Sequence, residues 1–511
     1  MFGYLLPLVV DATFSWVRMF IALGLSILLG LGLGIWAATS RRAEKIIIPV
    51  VDILQTLPIL AFFPVVIYII VATIPGYVGI NIAVIFLIIT SMLWNIIFGV
   101  YEVIKELPRE FFELAALYGF GFWKKLSKIY VPASMPKVIS QSTLSWAIGL
   151  FYLVTSEIFS TSNTTYTVKH GIGTALVQLA VSGNFDEYLA GIVIFVIFVI
   201  LTRLFFFSPL ERYFNRYNIQ PPLKRGFFAR LRPRLKIKIK LPRLRLNLAK
   251  GSTYPLEKEF EEIKKGPKYK RLIYISILFL CLVALIVDRQ LFSYEVEVIV
   301  SFLASFLRVW FAFFVILVIS IPLSVYLIFF SKRLSTYILI FQVIASIPAT
   351  ILLPVIVLML SNLPFHEEAV AFFVYLLSGI WYVIFSILSQ KAYISKEIFE
   401  VKELFGVKGL QAWKKIYIYA ILPGLITGAV TGIAAEWNAS IVAEYFTTSA
   451  IGSGSVITSV SAGIGKLLDV SLDTGNIELM LIALINMTAM IILINRFLWK
   501  RLYDKIESIY K

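Results

Sequence analysis

The chain has 511 residues, of which 59% are hydrophobic and only 15% charged, with a mean hydropathy of +0.88; soluble chains are about 45–50% apolar and about 25% charged. The net charge of +17 is local, because residues 209–271 hold 19 Lys+Arg against 5 Asp+Glu and leave only +3 on everything else. These numbers argue against a soluble enzyme, a disordered chain or a basic nucleic-acid-binding fold, and for a polytopic helical membrane protein.

Crossing a bilayer as helix takes about 20 apolar residues. Eleven runs meet or approach that length: about 17–39, 46–70, 77–100, 136–159, 188–208, 272–288, 303–330, 336–360, 367–389, 421–446 and 478–498. Residues 1–12 are too short to span and are expected at the interface. The first run carries one charge, Arg18, at its edge. The second contains Pro58 and Pro64, and its later counterpart contains Pro348 and Pro354, so both should kink. Between the third and fourth runs lies a polar segment, ELPREFFELAALYGFGFWKKLSKIYVPASMP over 106–136. It reads as a short helix, a glycine turn and a second short helix along the membrane surface. The fourth run ends near Glu157, and a carboxylate within a span is a functional hypothesis by default. The loop 160–187 follows, with the turn signal Gly171-Ile172-Gly173.

The segment 209–271 is the basic linker. Within it RLRPRLKIKIKLPRLRL (230–246) nearly alternates basic and apolar residues. It reads either as a solvated tether or as a strand that adsorbs to anionic headgroups; binding of nucleic acid is not expected. After the run at 272–288 the earlier pattern returns. Glu113, Gly119, Pro136 and Glu157 reappear as Glu400, Gly406, Pro423 and Glu444, an offset of 287. Upstream, Arg18, Pro58 and Pro64 reappear as Arg308, Pro348 and Pro354 at 290. Downstream, Gly171-Ile172-Gly173 reappears as Gly463-Ile464-Gly465 at 292. The offset steps only at loops, which is the mark of a tandem duplication. One half covers 1–208 and the other 290–511, with 272–289 as one unmatched membrane helix.

Five spans per half plus one extra give parallel rather than inverted repeats. Basic residues fall on one side of this arrangement: Arg41, Arg42 and Lys45, Lys332 and Arg333, the segments 101–131 and 391–418, the linker, and Lys500, Arg501 and Lys505. By the positive-inside rule that side is cytoplasmic. The N-terminus is then outside, and the linker and C-terminus are inside. The expected fold is an all-α polytopic membrane protein of two parallel five-helix repeats and about 11 spans.

Several chemistries lack their residues. A single cysteine, Cys281, allows no internal disulfide. Two distant histidines, His170 and His366, suggest no metal site. No basic n-region marks a cleavable signal. There is no phosphate-binding loop, since Gly465-Lys466 is followed by Leu467 and lacks the upstream glycine. The chain is therefore not expected to be an enzyme or to bind a cofactor itself.

The segment Glu113-Leu-Ala115-Ala116-(x)2-Gly119, continuing to Ile129-Tyr-Val-Pro132 and Pro136, resembles the EAA loop of permeases in ATP-binding-cassette importers. The second copy keeps Glu400, Gly406 and Pro423 but replaces both alanines, and has Tyr419 where the first has Pro132. The stretches SWAIGLFYLVTSEIF (145–159) and EWNASIVAEYF (436–446) are similar to permeases of the nitrate, sulfonate and taurine group. The two-halves-in-one-chain arrangement resembles that group's duplicated permease component. The resemblance implies a binding-protein-dependent permease in the cytoplasmic membrane that moves a small solute, an anion such as nitrate, sulfonate or taurine. Its loops 101–131 and 391–418 would dock two copies of a separate ABC ATPase, which would use the ATP and Mg. A separate external protein would deliver the solute. Glu157 and Glu444, with Arg18 and Arg308 as partners, are expected to serve structure or gating rather than solute contact, since a bare carboxylate repels an anion. Two alternatives stay open: a secondary transporter built from two parallel halves, for which the spans hold few central charges, and an ABC permease for another small solute.

Overall fold

In the computed structural model the described residues are 5–56, 73–162, 168–214, 289–392, 409–448 and 455–494, with isolated positions between 59 and 70 and at 394 and 498. Helices dominate. In chain order they are α1 (Leu5–Thr39), α2 (Arg41–Thr56), α3 (Tyr77–Lys105), α4 (Arg109–Leu117), α5 (Phe122–Lys125), α6 (Val131–Ser162), α7 (Ile172–Val181), α8 (Phe185–Leu201) and α9 (Ser208–Phe214). They continue with α10 (Arg289–Phe329), α11 (Leu334–Ala345), α12 (Ala349–Leu360), α13 (His366–Ser389), α14 (Gly409–Ala412), α15 (Ile418–Glu444), α16 (Ile464–Asp473) and α17 (Ile477–Ile494).

Eight of these helical stretches are long and apolar enough to cross a membrane: Leu5–Thr39, Tyr77–Lys105, Phe122–Glu157, Phe185–Phe214, Tyr294–Phe329, His366–Ser389, Ile418–Glu444 and Ile477–Ile494. The protein is thus a multi-pass membrane protein. Each matches one expected span. The other three of the expected eleven fare differently. The run 272–288 and most of the linker lie outside the described residues. In the run 46–70, α2 is described as far as Thr56, and Pro58 and Pro64 lie outside the described residues. The run 336–360 is not one kinked helix. It breaks by 78° between Thr336–Ala345 and Ala349–Leu360, and Pro348 sits at the N-cap of the second piece.

Two further expectations need correcting. Residues from Leu5 onward do not lie apart at an interface; they continue α1, with Leu8 and Ala12 buried. The polar residues are accommodated locally, since Thr13 Oγ1 bonds Val9 O and Asp11 pairs with His170 Nδ1. The fold is also not purely helical. Tyr445–Thr448 (β1) and Ser455–Ser459 (β2) form an antiparallel pair directly after α15. Their aromatic and β-branched residues suit extended backbone.

Packing places α1, α3 and α6 together in the first half and α10, α13 and α15 together in the second. A single buried apolar cluster runs through both, from Trp16, Met19 and Met92 to Phe302, Val374 and Trp437. The Phe302 and Trp437 rings stack at 5.2 Å. Polar contacts between sequence-distant helices include Ile59 N donating to Asn438 Oδ1 at 2.6 Å and Tyr188 Oη donating to Ile351 O. At the basic end, Glu44 of α2 accepts from Tyr101 Oη at 2.6 Å and Lys105 Nζ at 2.9 Å. Burial alone would raise the Glu44 carboxyl, but these two bonds prevail and hold it below its ordinary range.

Candidate functional site

Two places carry the expected site residues. The first is the polar segment after α3. Pro108 caps α4, whose first turn holds Glu110. Gly119 ends it with φ of +61°, in the left-handed region. Phe120 N donates to Ala115 O at 2.8 Å and Gly119 N to Ala116 O at 3.0 Å. That pair of bonds is the Schellman motif, which uses glycine to close a helix end. The spacing from Ala115 and Ala116 to Gly119 is therefore the spacing of this turn. Glu113 is exposed and Ala115 is buried.

Around the turn the surface is apolar. Leu114, Leu117, Tyr118, Phe122 and Trp123 are exposed, Leu117 at 84% and Trp123 at 77%. Apolar groups clustered on a loop beyond a membrane helix mark a contact surface. The chain re-enters the bundle through a π turn, Leu126–Tyr130, where Val131 N bonds Leu126 O. Pro132 and Pro136 follow in α6. The same π turn recurs at Trp413–Tyr417, again 287 residues on, with Ile418 N bonded to Trp413 O. There Tyr419 replaces Pro132, so the π turn does not depend on that proline. Pro423 lies inside α15. Glu400 and Gly406 lie outside the described residues.

The second place is the far end of the bundle. Glu157, on α6, is fully buried and accepts three bonds: from Ser15 Oγ at 2.6 Å, Arg18 Nη1 at 2.7 Å and Gly173 N at 2.9 Å. Ile172 N returns a bond to Ser15 Oγ at 3.0 Å. Arg18, 3% exposed, also donates to Asn81 Oδ1 and His170 O, each at 2.7 Å. One carboxylate and one guanidinium thus tie α1, α3, α6 and the start of α7 together.

The second half repeats the arrangement. Glu444, on α15, accepts from Gly465 N at 2.8 Å and from Arg308 Nη1 at 3.3 Å. Ile464 N donates to Ser305 Oγ at 2.8 Å, and Arg308 Nη1 to Ala462 O at 2.6 Å. Three differences stand out. Glu368 takes the place of Asn81 and grips Arg308 with both oxygens, at 2.5 and 2.7 Å. Tyr375 Oη adds a bond to Glu444 at 2.8 Å. Where the first half has Asp11–His170 at 3.0 Å, linking two distant segments, the carboxylate–histidine pair beside Glu368 is His366–Glu367 at 3.4 Å, between neighbouring residues.

The sequence reading named the carboxylates and arginines but missed what holds them. Ser15 and Ser305 each precede the arginine by three residues, on the same helix face. Gly171 and Gly463 were legible only as turn residues. Their role is space: a Cβ on Gly171 would lie 2.7 Å from Glu157 Cδ, and one on Gly463 2.5 Å from Glu444 Cδ. Against the expectation of few central charges in the spans, Glu436 sits buried within α15. Chemically, the first network sets one guanidinium against one carboxylate, and the second sets Arg308 against two, Glu368 and Glu444; both lock helices. Among the described residues there is no cluster able to hold a metal ion.

Residues 30–216 match the family described as the binding-protein-dependent transport system inner membrane component. The chain is 29% identical over 184 residues to the glycine betaine/proline betaine transport system permease protein ProW of Escherichia coli K12, covering 36% of this chain and 48% of that protein. It is 28% identical over 178 residues to the putative aliphatic sulfonates transport permease protein SsuC of Bacillus subtilis, covering 35% and 59%. It is 30% identical over 184 residues to the glycine betaine/carnitine transport permease protein GbuB of Listeria monocytogenes, again covering 35% and 59%. The chain thus spans about half the length of the curated relatives it matches. The likeness to an ABC importer's inner-membrane permease component, expected from the EAA-like segment, is shown by the family match over residues 30–216 and by these relatives.

Proposed function

We propose that this chain is the fused, two-module permease of an ATP-driven importer in the inner membrane, with 1–208 and 290–511 as its two halves. The observation that carries the reading is the exposed apolar turn around Gly119, which lies inside the family match and has the form of a docking element. The recurrence of the Arg18–Glu157 network as Arg308–Glu444, and of the π turn, at the offsets of the sequence repeat supports the duplication. In this reading two copies of a cytoplasmic ABC ATPase, using ATP and Mg, grip the segments 101–131 and 391–418. A separate solute-binding protein engages the opposite end. Closure of the ATPases pushes the two segments together, and the paired networks carry the motion to the outer end of the bundle. The N-terminus is outside, and the linker and C-terminus are inside.

The relatives are named for betaines, carnitine and aliphatic sulfonates. The solute proposed here is a small molecule bearing an acidic group, with sulfonate, taurine and nitrate as the first to test. The test is uptake and solute-stimulated ATP hydrolysis by the chain reconstituted with its ATPase. A panel of taurine, an alkanesulfonate, nitrate and glycine betaine separates the solute classes. A secondary transporter of two parallel halves is favoured by one observation, the buried Glu436. It leaves the exposed surface at Leu117 and Trp123 without a role.

A further inference from the structure

Glu436 lies two turns before Glu444 on α15, with its side chain fully buried. Neither of its carboxylate oxygens has a hydrogen-bond partner. The contrast with Glu157 and Glu444, which are saturated with donors, is complete. Gly379 of α13 makes the room: a Cβ there would fall 2.5 Å from Glu436 Oε1 and 2.9 Å from Ile316 Cδ1 of α10. On α13, Tyr375 lies one turn before Gly379 with its hydroxyl committed to Glu444, and Tyr382 lies one turn after it. On α10 the neighbour is Ile316, and Arg308 two turns away is engaged by Glu368, Glu444 and Ala462 O. Among the described residues no cation pairs with Glu436.

The duplication supplies an internal control. At the offset of 287, Glu436 corresponds to Gly149 and Gly379 to Met92. In the first half a Cβ on Gly149 would lie 2.2 Å from Met92 Cε. The same gap between equivalent helices is thus filled from the opposite side, by a thioether. The packing needs a side chain of that length, not a carboxylate. An unpaired anion in a buried helix interface is heavily penalised, while the neutral acid costs only what a buried polar group costs.

We infer that Glu436 is a proton-binding site of the second half, holding a proton while α13 and α15 are packed and releasing it to water when they part. On parting, the O–H bond breaks, the proton passes to water and the carboxylate is hydrated; repacking reverses each step. The packed form binds one more proton, so it gains as pH falls and loses as pH rises, by at most tenfold in population per pH unit. Its place in a transport cycle rests on the permease reading; the proton site itself does not.

The test uses the full chain in lipid nanodiscs without any ATPase. Infrared difference spectra compare the wild type with Glu436→Gln at neutral pH. The wild type is expected to show one additional protonated-carboxyl C=O band that the variant lacks. A second variant, Glu436→Gly with Gly379→Met, reproduces the packing of the first half and guards against misfolding. Spin labels on α13 and α15 should report a separation that changes with pH in the wild type and is pH-independent in this double variant. Equal C=O intensity in wild type and Glu436→Gln, or the same pH response in wild type and double variant, overturns the inference. Because no ATPase enters, failure here leaves the permease reading intact, and failure of ATPase binding leaves this test intact.

Discussion

Replacing Glu157 by alanine isolates the energetics of the first-half network. The substitution removes the acceptor of three bonds and leaves Arg18, 3% exposed, without its carboxylate. Asn81 and His170 O still accept from the guanidinium, but neither is an anion. Breaking a buried ion pair from one side costs about 3–5 kcal/mol, most of it from the stranded charge. Glu157→Gln keeps the shape and part of the bonding, so it should cost about half as much. If the stranded charge is the cause, removing it should restore stability. Arg18→Met in the Glu157→Ala background should therefore recover about 2 kcal/mol, so the coupling in a double-mutant cycle is about 2 kcal/mol plus whatever Arg18→Met costs alone by stranding Glu157. The assay is unfolding of the four proteins in one detergent, followed by tryptophan fluorescence. Losses that add within about 0.5 kcal/mol would refute the reasoning, because they would mean that Arg18 does not need Glu157.

The second half should respond more weakly. In Glu444→Ala, Arg308 keeps both oxygens of Glu368, so the loss should be about 1.5–3 kcal/mol and smaller than for Glu157→Ala in the same assay. Gly119→Val forces a β-branched residue to φ near +61°, at a local cost of about 1–2 kcal/mol, while nothing lies within 4 Å to clash. Global unfolding should be unchanged and solute uptake per ATP hydrolysed should fall; normal coupling would remove this turn from the mechanism. A single cysteine placed at residue 236 in a cysteine-free background should resist membrane-impermeant maleimide in intact cells and react after lysis; labelling from outside would reverse the orientation.

The long apolar helices were legible because a span has to be apolar over about 20 residues whatever it packs against. Leu5–Thr39 and Tyr77–Lys105 are of this kind. The 78° break near Pro348 was legible only as a kink, because proline marks where a helix weakens and neighbouring packing decides how far it turns. In the site, the near-constant offset between recurring motifs pointed to Arg18, Glu157, Arg308 and Glu444, since a charge at matching positions stands out against an apolar background. Ser15 and Gly171 were not legible as site residues. A serine on a helix or a glycine in a loop has many ordinary uses, and only the approach of α1 to the start of α7 gives them this one. Glu436 escaped because its meaning lies in a missing partner, which no sequence displays.

The central claim is that the apolar turn around Gly119 is gripped by an ATPase. The direct measurement is co-purification of the ABC ATPase expressed with this chain, compared between the wild type and a variant carrying Leu117→Asp and Trp123→Asp. Both side chains are exposed, at 84% and 77%, so the variant should fold and insert normally. The account predicts that the wild type retains ATPase in an amount approaching two copies per chain, and that the variant loses at least half of it. Equal retention by the two proteins, or none by the wild type, would contradict it.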